Sequence, residues 1–212
     1  MAAKDRCRLA LAGGSTPRAA YERLAAGSAE NAVDWSRIDV FFGDERAVPP
    51  DDPASNFRMA KEALLDRVKI PEASVHRIRG ELGAVAAAER YRAELGTAPL
   101  DLVLLGMGDD GHVASLFPAS RALEHPDASV LPNEGPVAPH SRVTLSMPVI
   151  NTASHVLVIV TGAAKATRVK AVFDEQRSGR PVLPAARVMP RGGADWFVDR
   201  AAGALLEEEL FS

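Results

Sequence analysis

Four short apolar runs, each bounded by glycine, proline or aspartate, have the length of β-strands. Their residues are apolar almost throughout rather than at alternate positions, a pattern typical of strands covered on both faces, as in a parallel sheet. The pattern therefore predicts that these strands form the centre of the fold. The runs are residues 9–12, 38–42, 100–105 and 156–161.

Segments with a helical period of apolar residues alternate with these runs. The first two open with polar residues that favour a helix N-terminus, Ser15 or Thr16 before one and Ser55 or Asn56 before the other. The alternation of strand and helix predicts a three-layer α/β/α sandwich with a mostly parallel, Rossmann-like sheet, folded as one domain. The helical segments are residues 17–26, 57–68 and 84–95 and a stretch that begins near Ala163.

Ligands of such sheets bind beyond the carboxyl ends of the strands, so the segments that follow the runs are the first places to search for a site. In chain order these segments read GGSTP, GDERAVPPDDPASN, GMGDDGH and TGAAK. A further segment, residues 119–139, contains several prolines and little periodicity, which predicts a surface loop or flap.

Composition narrows the possible function classes. The 212 residues contain 25 lysines and arginines against 28 aspartates and glutamates, and this net charge of −3 argues against binding to nucleic acid or a membrane surface. The single cysteine, Cys7, and the lack of a cysteine–histidine cluster with zinc-site spacing predict a cytoplasmic protein without a metal. Any anion that the protein binds must therefore be held by a local cluster of groups.

The segment GGSTP joins a predicted strand to a predicted helix. Gly14 allows the backbone to approach an anion closely, while Ser15 and Thr16 add hydroxyl donors to the unpaired N–H groups of the first helical turn. A phosphate would fit there. The same residues are typical of a tight turn with a helix cap, which is the commoner explanation when the segment is taken alone.

Three basic residues are candidates to contact an anion in the cleft. Arg46 could form a bidentate contact with a phosphate while Asp44 or Glu45 holds its guanidinium, or it could belong to an ordinary surface ion pair. Lys165 lies in the first turn of a helix, where a lysine is unfavourable unless an anion neutralises it, although a solvated lysine is the common explanation. Arg142 could also face the cleft, although an ordinary solvent-facing strand residue is the commoner explanation and is the interpretation preferred here.

The segment GMGDDGH carries the most informative chemistry. Asp110 precedes His112 by two residues, and a carboxylate beside a histidine fixes the ring tautomer and stabilises the protonated ring. The alternative is a structural turn in which His112 caps a helix. The position of three glycines, Gly106, Gly108 and Gly111, at the end of a predicted strand favours acid–base catalysis over that alternative.

In their order and spacing, these motifs resemble the 6-phosphogluconolactonase family. The resemblance rests on GGSTP, VDWSRIDVFFGDERAVPPDDPASNFRMAKEALL, DLVLLGMGDDGHVASLFP, RVTLSMPVIN and TGAAK, and it extends to the C-terminal LPAARVMPRGGADWFVDRAA. Glucosamine-6-phosphate deaminases share the fold and the DGH element, but they usually continue with an Asn-Glu-Pro run. This chain reads HVASLFP there, which lacks that carboxylate and favours the lactonase.

The resemblance implies hydrolysis of 6-phospho-D-glucono-1,5-lactone to 6-phosphogluconate in the oxidative pentose phosphate pathway, without a cofactor or a metal. It implies that His112 is the general base that activates water and that Asp110 orients it. Backbone N–H groups of the loop containing Gly106, Gly108 and Gly111 are candidates to stabilise the oxyanion. The implied phosphate ligands are Gly14, Ser15, Thr16, Arg46 and Lys165.

Two other functions stay open at this point: a glucosamine-6-phosphate isomerase/deaminase, and a non-catalytic sugar-phosphate sensor that could dispense with His112. We expect a small-molecule phosphosugar lactone as the partner, with neither nucleic acid nor membrane, and a monomer with a weak dimer as the alternative. Family members usually carry an extra strand and helix before the strand that leads into GGSTP, and this chain is expected to lack them.

Overall fold

Five parallel strands form the central sheet within the residues that the structure, a computed structural model, describes: 6–27, 33–127 and 129–206. In chain order the strands are β1 (Cys7–Leu11), β2 (Ile38–Phe42), β3 (Asp44–Arg46), β4 (Leu102–Leu105), β5 (Val130–Glu134), β6 (Ser141–Leu145), β7 (His155–Val160) and β8 (Ala194–Val198). The α-helices are α1 (Ser15–Ala26), α2 (Asn56–Ala63), α3 (Ala84–Leu95), α4 (Met147–Thr152) and α5 (Ala166–Ser178).

The strand order across the central sheet is β2-β1-β4-β7-β8, and every neighbouring pair is parallel. The four predicted runs correspond to β2, β1, β4 and β7, whose apolar side chains are largely buried. Helices flank the sheet, so the predicted α/β sandwich with a mostly parallel sheet is confirmed. In such a sheet the carboxyl ends of all strands lie along one edge.

Two buried tyrosines fix the strand ends at this edge. The hydroxyl of Tyr21 on α1 donates to the carbonyl of Ala12 at 3.0 Å and accepts from its N–H at 2.9 Å. Tyr91 on α3 forms the same pair of bonds with Phe42, at 3.1 Å and 2.7 Å. Burial raises the pKa of both phenols, so each hydroxyl stays neutral and able to donate.

A second, antiparallel sheet with the order β3-β6-β5 lies next to the first. Gly43 alone separates β2 from β3, so the chain passes directly from one sheet into the other. The prediction of a loop over residues 119–139 is wrong in part, because β5 pairs along its whole length with β6. Sequence pattern misses β5 because Pro132 and exposed polar residues interrupt its apolar positions, as is common in edge strands.

The helix boundaries confirm some of the predicted caps and correct others. Helix α1 begins at Ser15 with Gly14 as its N-cap, so neither Ser15 nor Thr16 is the capping residue. Ser55 does cap α2, because its side chain accepts a hydrogen bond from the N–H of Arg58 at 3.1 Å. Helix α3 has the predicted bounds, whereas α2 ends at Ala63, earlier than its apolar stripe suggests.

Candidate functional site

A cleft of about 570 Å³ opens at the carboxyl ends of β1, β4 and β7, and the small sheet forms another wall. All of the predicted site residues line it except Asp110 and Gly111, which belong to the same loop as Gly108 and His112. Three permanent cations and one carboxylate contribute to the lining. They are Arg46, Arg142, Lys165 and Asp44.

His112 and Asp110 form the pair that the sequence predicts. The ring Nδ1 of His112 lies 2.6 Å from Oδ1 of Asp110, and the same oxygen accepts the backbone N–H of His112 at 3.1 Å. Because a carboxylate oxygen accepts hydrogen bonds, the proton of the neutral ring belongs on Nδ1 and the lone pair on Nε2. The side chain is 31% exposed and lines the cleft, so the ring is accessible to a bound molecule.

Gly108 makes room for this ring. A Cβ atom at position 108 would lie 2.1 Å from Nδ1 of His112, closer than any side chain allows. The N–H of Gly108 donates to the carbonyl of His112 at 2.9 Å, and the N–H of Gly111 donates to the carbonyl of Gly108 at 3.1 Å. These two N–H groups are therefore engaged within the loop, which argues against the predicted oxyanion role for them and leaves Gly106 as the loop candidate.

The beginning of helix α1 contributes backbone donors to the cleft. Gly14 has a φ of 104°, a conformation that favours glycine, and it turns the chain from β1 into the helix. The N–H groups of Ser15 and Thr16 belong to the first turn, where helix geometry provides no carbonyl partner. The hydroxyl of Thr16 lies 2.7 Å from that of Thr161, which follows β7, so the two loops are in direct contact.

The segment that carries Lys165 begins with a tight turn that is stabilised by Asp199, the residue directly after β8. Gly162 has a φ of 99°, and its N–H donates to both carboxylate oxygens of Asp199 at 3.1 Å. A single 3-10 turn, Ala163–Lys165, then leads into α5. The ammonium of Lys165 lies 2.5 Å from the carboxylate of Asp109 and, through this contact, holds the pKa of Asp109 below its usual range.

Arg46 and Arg142 lie directly opposite each other on β3 and β6. Arg142 is only 7% exposed and lines the cleft, so its interpretation as a solvent-facing strand residue is wrong. Burial, followed by the positive charge of Arg46, lowers the pKa of Arg142. Among the described residues, the buried Nε atoms of both guanidinium groups have no hydrogen-bond partner.

These two guanidinium groups are held by main-chain carbonyls. Arg46 donates to the carbonyl of Ala54 at 2.5 Å, and Arg142 donates to that of Val137 at 3.0 Å. The expectation that Asp44 or Glu45 holds the guanidinium of Arg46 is therefore wrong. Both arginines keep further N–H groups that can donate to an anion.

Glu45 instead fixes the start of helix α2. Its buried carboxylate accepts the N–H groups of Asn56 and Phe57 at 2.7 Å and 2.8 Å and the hydroxyl of Ser55 at 2.9 Å. Burial raises the pKa of Glu45 against the opposing effect of these donors. The contacts join β3, which carries Arg46, to the helix that carries Asn56.

Asp44, Asn56 and Ser115 form a buried polar group in the wall of the cleft that sequence reasoning missed. The hydroxyl of Ser115 donates to Asp44 at 2.6 Å, and the amide of Asn56 donates to the same carboxylate at 3.2 Å. The Oδ1 atom of Asn56 has no partner among the described residues. The available signal was the pair of polar residues Asn56 and Ser115, which pattern alone assigns to helix capping or a turn.

Two kinds of feature are absent from the described residues. They contain no cluster of three or more histidine, cysteine, aspartate or glutamate residues placed to hold a metal ion. None of the helices in the same ranges is both long enough and apolar enough to cross a bilayer.

Comparisons with known protein families, sequences and solved structures agree on one family and one fold. The family profile for glucosamine-6-phosphate isomerases/6-phosphogluconolactonase matches residues 1–197. A 6-phosphogluconolactonase of Nostoc is 41% identical, over 96% of this chain and 86% of its own. The crystal structure of 6-phosphogluconolactonase from Thermotoga maritima matches with a TM-score of 0.81 and 37% identity, over 92% of this chain and 86% of its own. A monomeric glucosamine-6-phosphate deaminase, at 22% identity and a TM-score of 0.79, shares the fold.

Proposed function

Because this chain belongs to the glucosamine-6-phosphate isomerase/6-phosphogluconolactonase family, we propose that it hydrolyses 6-phospho-D-glucono-1,5-lactone to 6-phosphogluconate. This reaction is a step of the oxidative pentose phosphate pathway. The observation that carries the proposal is the contact of 2.6 Å between His112 and Asp110, in a cleft that also contains three cations. An acid–base group and a site for a phosphate are the two requirements of this substrate.

His112 acts first as a general base. Its Nε2 takes a proton from a water molecule, which attacks the C1 carbonyl carbon and gives a tetrahedral oxyanion. Asp110 accepts the Nδ1 proton in a hydrogen bond throughout and stabilises the ring while it is positively charged. The imidazolium then gives the proton to the ring oxygen as the bond from C1 to that oxygen breaks, so the histidine returns to its neutral form.

The phosphate of the substrate binds to the cluster of positive charge. Arg46, Arg142 and Lys165 provide the cations, and Gly14, Ser15 and Thr16 provide the glycine turn and the unpaired N–H groups of α1. Two facing guanidinium groups repel each other, and a dianion between them offsets that repulsion. The bound phosphate also positions C1 for attack, so remote binding contributes to the rate.

The reaction needs no cofactor because a lactone is an activated ester. We further infer a cytoplasmic location from the single cysteine, and a monomer as the working state, with a weak dimer as the alternative. The net charge of −3 supports a partnership with small molecules rather than with nucleic acid.

Substitution of His112 tests the proposal. Purified wild-type protein should hydrolyse the phosphorylated lactone well above its spontaneous rate, and His112→Asn should lose this activity by about 100-fold or more. His155→Asn is the matched control, because His155 is exposed at the start of β7, the end away from the cleft. Full activity of His112→Asn would remove His112 as the base. Release of ammonia from glucosamine 6-phosphate would favour the deaminase instead.

A further inference from the structure

Asp109 forms an ion pair at the wall of the cleft that the proposed reaction does not use. Its carboxylate lies 2.5 Å from the ammonium of Lys165, a proposed phosphate ligand. The side chain of Asp109 is 82% exposed, whereas that of Lys165 is 21% exposed. The carboxylate therefore reaches a largely covered cation from the solvent side.

We propose that the carboxylate of Asp109 is an intramolecular counter-ion, which pairs with the ammonium of Lys165 until the phosphate of the substrate displaces it. This inference rests on the proposed function for the identity of the substrate. Asp109 then contributes to specificity. Neutral or weakly anionic sugars do not displace it from Lys165, whereas a dianion does. It is not a catalytic residue, since it does not touch the reacting atoms.

The relative strength of the two anions supports the displacement. Exposed ion pairs between lysine and a carboxylate are weak, because water screens them and both side chains lose freedom. A phosphate carries more charge and three acceptor oxygens, and in this cleft it can also contact Arg46, Arg142 and the N–H groups of α1. The carboxylate of Asp109 has Lys165 as its ion-pair partner among the described residues.

The loop that carries Asp109 keeps a second attachment after the exchange. The Nε–H of Arg168 on α5 donates to the backbone carbonyl of Asp109 at 3.2 Å. The turn between Gly108 and Gly111 is closed by its own hydrogen bond of 3.1 Å. Loss of the Asp109 carboxylate from Lys165 therefore leaves the support of the His112 and Asp110 pair in place.

Titration with inorganic phosphate tests the counter-ion role without relying on turnover. The proteins are wild type, Asp109→Asn and Asp109→Glu, with binding followed by calorimetry in a buffer free of other oxyanions. Asp66→Asn is the matched control, because Asp66 forms a Lys–Asp pair of the same length, 2.5 Å, with Lys61, and neither residue lines the cleft. The exposure of Asp109 means that its substitution does not threaten folding, which unfolding temperatures verify.

Asp109→Asn should lower the Kd for phosphate about two- to fivefold, because the competitor is removed. Asp109→Glu should restore a value near that of the wild type, and Asp66→Asn should leave it unchanged. The KM for the phosphorylated lactone should fall by the same factor in Asp109→Asn.

An unchanged or higher Kd in Asp109→Asn, or an equal fall in Asp66→Asn, overturns the inference. A large fall in kcat with unchanged phosphate binding also overturns it, because Asp109 would then position the catalytic loop. If phosphate binding responds as expected while wild-type protein fails to hydrolyse the lactone, the proposed function fails and the counter-ion role stands. If the lactone is hydrolysed while phosphate binding does not respond, only the counter-ion role fails.

Discussion

The hydrogen bond from His112 to Asp110 decides which ring nitrogen can act as a base. With the Nδ1 proton held by the carboxylate at 2.6 Å, Nε2 keeps the lone pair of the neutral ring, and His112 is one of the residues that line the cleft. An amide in place of the carboxylate could hold the opposite tautomer, and it would stabilise the positively charged ring less.

Asp110→Asn should therefore lower kcat for lactone hydrolysis by about 100-fold, while the Kd for phosphate stays near that of the wild type. Steady-state kinetics and phosphate titration of the same preparation measure the two effects. The unchanged Kd serves as the internal control for an intact cleft. A neutral effect on kcat would reduce Asp110 to a residue of the loop structure.

Arg142 is buried opposite another cation, and an anion bound in the cleft would offset their repulsion further than the nearby carboxylates of Asp44 and Glu45 already do. Arg142→Met should raise KM for the phosphorylated lactone about 10- to 100-fold, because hydrogen bonds to charged groups are worth about 1.5–3 kcal/mol. Arg187→Met is the matched control, since Arg187 also has a buried, unpartnered Nε but lies outside the cleft lining. An equal KM in both variants would place the phosphate elsewhere.

At the scale of elements, the conformation of the loop that carries His112 depends on the absence of a side chain at Gly108. Gly108→Ala should reduce kcat at least tenfold, because the new Cβ would lie 2.1 Å from Nδ1 of His112 and must displace the ring. Gly43→Ala is the control, since its Cβ would meet only the carbonyl of Leu11 at 3.6 Å, an ordinary contact distance. Circular dichroism checks that both variants fold. Full activity of Gly108→Ala would mean that the ring can move without cost.

The sequence predicts the strands and helices whose residue pattern lies within one short segment of the chain. The buried strands β1, β2, β4 and β7 coincide with nearly continuous apolar runs, and α3 has a clear helical period and the predicted bounds. The small sheet escaped prediction because pairing between distant segments stabilises its strands, and β3 consists of the three charged residues 44–46. Pattern cannot show that a charged side chain will be buried by a partner far along the chain.

The same reason separates the site residues that were predicted from those that were missed. His112 and Asp110 are two residues apart, so their contact can be inferred from a motif. The position of Arg142 depends on its register with Arg46, and the group formed by Asp44, Asn56 and Ser115 joins three separate segments. These contacts exist only after both sheets have formed.

At the scale of the whole molecule, an ion pair joins β1 and β2 at the amino ends of the strands, on the side of the sheet away from the cleft. Arg6, just before β1, donates from Nε and Nη2 to the carboxylate of Asp39 on β2, at 2.9 Å and 2.6 Å. The hydrogen bond from Arg6 is the largest cause that lowers the pKa of Asp39 below its usual value of 3.8. A carboxylate with a lowered pKa stabilises the fold above its unfolded pKa, and this contribution is lost as the pH falls through the folded pKa.

Asp39→Asn should therefore lower the unfolding temperature at pH 7, and the difference from wild type should shrink as the pH falls below about 4. Thermal unfolding at several pH values measures this difference. Asp195→Asn, at an exposed position on β8, is the control for removal of one carboxylate and should leave the unfolding temperature at pH 7 close to that of the wild type. A difference that stays constant down to pH 2 would show that the charge of Asp39 contributes nothing.

Because the chain passes from one sheet to the other through Gly43, the cleft needs both sheets, and this affects the order of events during folding. The cleft is complete only when strand β1 has paired with β4 and when β3 has paired with β6, and both pairings close long loops of chain. Contacts between distant segments form slowly during folding, because the entropy of loop closure must be overcome first. During refolding, enzymatic activity should therefore return with the last structural change and not with the first appearance of helix.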